Sequence, residues 1–178
     1  MSDLFKQTVE RLPDILIKNA SPMMQRIVAA MQKSIGEDQQ LADASYCVLL
    51  LKMAADDLAA GFERAIRESM AALRSGDGGP NFSATGFSLA IEPLADDGST
   101  EKADFHLSTL AFDRLLAKGK ALGVRGLRNY ERDVLLTCMK QSFAKSRVSG
   151  EEAAKLLPYA RRALNDELVR LYAKLEAL

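Results

Sequence analysis

The sequence predicts an all-α protein, a multi-helix bundle with one irregular segment in the middle of the chain. Three observations lead to this prediction. Apolar residues recur at helical spacings of three, four and seven over most of the chain. Helix-start and helix-stop signals separate these stretches. Alanine and leucine, two of the best helix formers, supply most of the apolar side chains, whereas aromatic residues make up only 6%.

Length and composition place the chain among globular proteins. Its 178 residues, of which 48% are hydrophobic and 27% charged, are enough for one core of ordinary size and are not the composition of a disordered protein. We expect a single all-helical domain over 1–178; the alternative is two helical lobes, 1–75 and 105–178, joined by a linker at 76–104. The formal net charge is zero, so the overall charge indicates no class of partner.

The first part of the chain predicts three short helices. Pro13 is expected to bend or restart the first of them. The sequence Asn-Ala-Ser-Pro at 19–22 predicts a helix end followed by a new start, with Ser21 as the N-cap and Pro22 at the first helical position. The helix that follows should end at Gly36.

The longest predicted helix covers about residues 37–75. At about 1.5 Å per residue it would be roughly 55 Å long, which exceeds a small domain, and Gly61 is therefore the expected break. The run from Cys47 to Leu51 is apolar in every direction around the helix, which predicts burial on several sides.

The central segment differs in composition from the rest of the chain. Gly, Asp, Pro, Asn and Ser recur through its first part, which is typical of a loop. Phe87, Leu89 and Ile91 then alternate with other residues, so that a short strand, or an extended segment laid across helices, is predicted near 87–91.

The last part of the chain predicts three more helices. One runs from about Ser108 to Gly123, and a second follows Gly126. The third should begin with a capping box, in which Ser149 and Glu152 satisfy each other's free backbone N–H groups. It carries a leucine seam that is too short to predict a true coiled coil.

Residues that could carry catalysis or bind a metal do not converge in this sequence. His106 is the only histidine, so a histidine-based catalytic group or metal site cannot be built within one chain. Acidic residues occur as adjacent pairs, which point about 100° apart on a helix. Cys47 and Cys138 lie in apolar helical stretches and are expected to be buried thiols. We predict no catalytic residue, no metal site and no cofactor.

A basic stretch at 118–132 is the most distinctive local feature. Two helices separated by a tight glycine turn could begin a helix-turn-helix, and the turn could also contact a phosphate. The neutral net charge is unusual for a nucleic-acid-binding protein, so a solvated helical hairpin is the favoured interpretation. The candidate anion or nucleic-acid contacts are Lys118, Lys120, Arg125, Arg128 and Arg132.

Two apolar stretches are candidate interaction surfaces. A methionine-rich helix can adapt to varied partners, and a terminal leucine helix is a natural dimer surface. Packing inside this chain is the simpler interpretation of both. The residues concerned are Met23, Met24, Met31, Leu164, Leu168, Leu171 and Leu175.

These observations support a non-enzymatic protein that interacts with, or regulates, others through an amphipathic helical surface. Its partner would be another protein or a second copy, as a homodimer. The alternative is binding of nucleic acid or a phosphate ligand through 118–132, with nucleic acid not favoured. No stretch approaches the about 18–20 apolar residues of a membrane span, and the N-terminal residues do not resemble a secretory signal, so we expect no membrane partner and a cytoplasmic location.

Overall fold

The computed structural model describes residues 2–74 and 105–178, which contain helices and no strand. The predicted all-α, multi-helix bundle is therefore confirmed, whereas the strand predicted near 87–91 lies outside the described residues. The helices are α1 (Ser2–Glu10), α2 (Leu12–Glu37), α3 (Ala44–Arg74), α4 (His106–Ala121), the 3-10 helix Leu127–Tyr130, α5 (Arg132–Ala144) and α6 (Gly150–Glu176).

Helices from both ends of the chain share one core. Helices α2 and α3 form an antiparallel hairpin, with α3 packed against α5 and α2 packed against α6; α6 also packs against α4. The core includes Phe5 and Phe62 from the first part of the chain and Phe143 and Tyr172 from the second part, all fully buried. None of the helices in these two stretches combines the length and the apolarity needed to cross a membrane.

Proline acts differently at the two predicted interruptions of the N-terminal region. The restart at Pro13 is confirmed, because α1 ends at Glu10 and Pro13 lies in the first turn of α2. The helix end predicted at 19–22 is wrong, since α2 continues through Pro22. Proline inside a helix costs about 3 kcal/mol, but Pro22 is exposed, while its neighbours Met23 and Met24 are buried and hold the helix against the core.

The long helix α3 also continues through its predicted break. Gly61 lies inside α3, and a Cβ atom there would lie 3.3 Å from the backbone of Ser142 in α5. Glycine therefore allows α3 and α5 to approach closely. The predicted burial of 47–51 on several sides holds in part: Cys47 and Leu51 are buried and Val48 and Leu50 are partly buried against the core, but Leu49 is 55% exposed, because the bundle does not surround α3.

The beginning of α6 agrees with the sequence. The Ser149 hydroxyl accepts a hydrogen bond from the Glu152 N–H at 3.2 Å, and the Glu152 carboxylate accepts one from the Ser149 N–H at 2.8 Å. The predicted capping box is confirmed. Pro158, further along the same helix, does not interrupt α6.

Polar contacts attach the connection between α2 and α3 to α6. The Tyr159 hydroxyl donates to the Asp38 carboxylate at 2.5 Å, and Lys155 forms an ion pair with Asp43 at 3.1 Å. The hydrogen bond lowers the pKa of Asp38 and raises the pKa of Tyr159 to about 12. This end of the bundle is thus held by charged and polar groups as well as by the core.

Candidate functional site

The methionine and leucine side chains predicted as an interaction surface belong to the core. All are buried except Leu171, which is half-buried. They lie on the sides of α2 and α6 that pack within the bundle, so the apolar periodicity of both helices is satisfied inside this chain. An apolar surface open to a partner must consist of other residues.

Two of the five basic residues predicted as anion contacts have roles within the fold. The Lys118 ammonium donates to the backbone carbonyl of Glu176 and lies 5.0 Å from the centre of the Phe5 ring. The Arg132 guanidinium lies 5.3 Å from the centre of the Phe105 ring, and its Nε is 3.0 Å from the Asp133 carboxylate. Both cations therefore have protein partners.

The other three basic residues lie together. Lys120, Arg125 and Arg128 are exposed and line one surface concavity of about 550 Å³. Two glycines of the connection between α4 and the 3-10 helix, Gly123 and Gly126, line the same concavity. The structure thus brings together three residues that the sequence had grouped only by their nearness along the chain.

Glycine shapes this connection. Helix α4 ends in a Schellman motif, in which the Val124 N–H donates to the Gly119 carbonyl at 2.8 Å and the Gly123 N–H donates to the Lys120 carbonyl at 3.2 Å. Gly123 has φ 68° and Gly126 has φ 83°, a region that residues with side chains rarely adopt. A Cβ atom at Gly119 would clash with the buried side chain of Leu127, which packs there on α4.

A second concavity, of about 360 Å³, adjoins the same connection. Its lining includes Arg125 and Asn129 and, from α1, Lys6 and Glu10. Sequence reasoning missed Lys6, because only the folded chain brings α1 next to residues 123–130. We call the surface formed by Lys6, Lys120, Arg125 and Arg128 around Gly123–Gly126 the basic turn.

The connection does not lead into a helix-turn-helix. The residues after Gly126 form a 3-10 helix of four residues, Glu131 is extended, and α5 starts only at Arg132. Most apolar side chains of α5 are buried against α3 and α6. The single helix expected after Gly126 is therefore divided into a 3-10 helix and α5, and the apolar side of α5 packs within the bundle.

An exposed apolar surface lies on α3 and includes Leu49, for which the sequence predicts burial. Tyr46, Leu49 and Met53 are 52%, 55% and 59% exposed and recur at the helical spacings of three and four. Ala60, seven residues after Met53, is exposed on the same side. We call these four residues the apolar face of α3.

The apolar face has a fixed edge and a charged edge. The Tyr46 hydroxyl donates to the Glu152 carboxylate at the start of α6, which holds the ring in place, raises the Tyr46 pKa and lowers the Glu152 pKa. Lys52 and Asp56 are exposed along the other edge, and neither forms an ion pair within 2–74 and 105–178.

The residue types most used in catalysis are dispersed. His106 is exposed at the start of α4. Cys47 and Cys138 are buried, and burial raises the pKa of both thiols, that of Cys138 to about 11. Among the described residues, no three His, Cys, Asp or Glu side chains are grouped so that they could hold a metal ion.

The apolar face of α3 and the basic turn are therefore candidate functional surfaces of the described residues. Comparison with protein-family models, with curated proteins and with solved structures finds no match to this chain.

Proposed function

We propose that this chain is an interaction protein that self-associates through the apolar face of α3. The observation that supports the proposal is the exposure of Tyr46, Leu49 and Met53 on one side of a helix whose opposite side is in the core. From Tyr46 to Ala60 this face is about 21 Å long at about 1.5 Å per residue. Exposed apolar side chains that adjoin one another mark interaction sites more often than scattered ones do.

The apolar face ends at Ala60, and this end limits the length of a partner that could cover it. Beyond Ala60 the exposed residues of the same helix include Arg64, Arg67 and Arg74. A partner that buries the apolar face must therefore match about four helical turns and leave the charged second half of α3 in water. An amphipathic helix of similar length meets this requirement.

Charge complementarity favours a second copy as that partner. In an antiparallel pair of helices related by a two-fold axis, each contact occurs twice, with the residue numbers exchanged. An axis near Met53 and Ala54 would place Lys52 opposite Asp56 of the second copy, and Asp56 opposite the other Lys52. The same axis passes through the middle of the apolar face, so one arrangement buries both apolar faces and pairs all four charges.

The proposal is tested by measuring the mass of the chain in solution over a concentration series by light scattering. The contact is small, so we expect a dimer with a dissociation constant that is roughly micromolar or weaker. Met53→Glu should abolish the dimer, because it places a carboxylate in the middle of the pair. Leu107→Glu is the matched control, since Leu107 is 60% exposed on α4, and it should leave the dimer unchanged.

A charge exchange tests the antiparallel arrangement itself. Lys52→Glu should weaken the dimer, because it places two carboxylates opposite each other on both sides of the axis. Combining it with Asp56→Lys should restore the dimer, since the pairs are re-formed with their charges exchanged. A monomer at every concentration, or a dimer that Met53→Glu leaves intact, would contradict the proposal and leave a helix of another protein as the occupant to be sought.

The proposal includes a cytoplasmic location. The two thiols, Cys47 and Cys138, are free and buried, and unpaired structural cysteines are typical of reducing compartments.

A further inference from the structure

We infer that the basic turn binds a small oligophosphate anion. This inference is independent of self-association through α3, because it concerns α1, α4 and the connection that follows α4. The site differs from the group of five basic residues that the sequence predicts. It excludes Lys118 and Arg132, it includes Lys6, and it has two adjoining concavities.

Uncompensated positive charge is the first observation. Lys6, Lys120, Arg125 and Arg128 form no ion pair within residues 2–74 and 105–178. Glu10 is the acidic residue in the lining of the two concavities. Like charges held close together destabilise the fold unless an anion neutralises them, and a surface of one sign concentrates such anions from solution.

The shape of the turn is the second observation. The two concavities, of about 550 Å³ and 360 Å³, share Gly123, Val124, Arg125 and Gly126, so that they adjoin each other along one strip of backbone. Nothing lies within 4 Å of the position that a Gly123 side chain would take. The N–H groups of Arg125 and Gly126 make no hydrogen bond to another described residue, which leaves both as donors.

The donor set suits a multiply charged oxyanion such as phosphate better than a halide. Arg125 and Arg128 can each present two N–H groups to one phosphate, and Lys120 and Lys6 supply point charges at the margins. Because Arg125 lines both concavities, it can bridge two linked phosphate groups. A chain of two or three phosphates therefore fits the charge and the two adjoining spaces better than a single phosphate does.

Nucleic acid fits the surface less well. Bases of a single strand are bound on exposed aromatic side chains, and Tyr130, the aromatic residue at the turn, is only 8% exposed. A duplex is read by an element that enters a groove, and α5 is packed into the bundle. The contacts that the basic turn offers are therefore those of a phosphate chain without bases.

The test is a calorimetric titration of the full chain with inorganic tripolyphosphate at low salt. Wild-type protein should bind, with an affinity that falls as the salt concentration is raised. The triple variant Lys120→Gln, Arg125→Gln and Arg128→Gln should bind at least roughly tenfold more weakly, because the loss of even one charge-assisted hydrogen bond costs a factor of about ten. The three residues are exposed, so circular dichroism should show unchanged helix content.

Two further variants distinguish binding at a specific site from attraction of the anion by positive charge anywhere on the surface. The control Lys33→Gln, Arg64→Gln and Lys145→Gln removes the same charge at exposed positions elsewhere and should leave the affinity within about twofold. Gly126→Ala keeps every cation but strains the turn at φ 83°, and should weaken binding.

Three results would overturn the inference. The first is an equal loss of affinity in the site and control variants, which would reduce the effect to net charge. The second is unchanged binding by the Gly126→Ala variant, which would mean that the shape of the turn is irrelevant. The third is tighter binding of duplex DNA or single-stranded RNA than of tripolyphosphate at equal phosphate concentration, which would assign the surface to nucleic acid.

Discussion

Gly119→Ala is the substitution with the most definite expected effect on this fold. Gly119 is buried in the last turn of α4, and the side chain of Leu127 rests against it. A Cβ atom at this position would come closer than 3.0 Å to a methyl group of Leu127. Leu127 is itself 3% exposed, so moving its side chain away from the new Cβ atom would disturb its packing on α4.

Two opposing contributions determine how much Gly119→Ala changes the free energy of unfolding. Alanine favours a helix interior over glycine by about 1 kcal/mol, whereas forcing an extra carbon atom into a packed site costs about 1–3 kcal/mol. The clash is with a buried side chain rather than an exposed one, so we expect the upper part of that range and a net loss of about 1–2 kcal/mol in the free energy of unfolding. For a chain of this length, each kcal/mol lowers Tm by about 2–4 °C.

The assay is urea denaturation of wild type and variant, followed by circular dichroism. Gly36→Ala is the matched control: Gly36 is also helical, and nothing lies within 4 Å of the position of its Cβ atom. We expect Gly36→Ala to raise the free energy of unfolding by up to about 1 kcal/mol. The two Gly→Ala variants should thus shift stability in opposite directions.

A double variant tests the assigned cause. Leu127→Ala removes the methyl groups that clash, so Gly119→Ala should cost little or become favourable in that background. If Gly119→Ala stabilises the wild-type chain as much as Gly36→Ala does, the packing of Leu127 on α4 is not as described, and the shape assigned to the basic turn loses its support.

Three further predictions concern the polar contacts that cap α6 or attach it to the rest of the fold. Ser149→Ala removes the N-cap hydroxyl of α6 and should lower the free energy of unfolding by about 0.5–2 kcal/mol in urea titrations, whereas an unchanged midpoint would count against the cap. Glu167, whose side chain is 8% exposed, accepts hydrogen bonds from Arg26 at 2.8–3.1 Å; Glu167→Gln should cost about 1–2 kcal/mol in the same assay, since Arg26 is half exposed and can be rehydrated. The hydrogen bond from the Tyr159 hydroxyl lowers the pKa of Asp38 below its ordinary value of 3.8. The stability that this hydrogen bond contributes is therefore fully present above pH 3.8 and is lost as the pH falls through the lowered pKa of Asp38. Tyr159→Phe should therefore show a shallower loss of stability in acid, and parallel pH profiles of the two proteins would refute this assignment.

The sequence by itself determined the features that depend on neighbours a few residues away. The helical class follows from apolar spacing, the start of α6 from the Ser149 and Glu152 pair, and the restart at Pro13 from the chemistry of proline at a helix N-terminus. Each of these features depends on residues within about one helical turn of each other, so the residues that determine it are close together in the sequence. Three cations of the basic turn were found in the same way, because they lie close together between Lys120 and Arg128.

Only the tertiary structure decided which apolar and basic residues face solvent. Periodicity shows that a helix has an apolar side, but the packing of its neighbours determines how much of that side is covered. The methionines of α2 are covered by the bundle, whereas Leu49 is not. Packing also kept α2 continuous through Pro22 and brought Lys6 to the basic turn, because burial against distant helices outweighs a local helix-stop signal, and proximity between distant segments is a property of the folded chain alone.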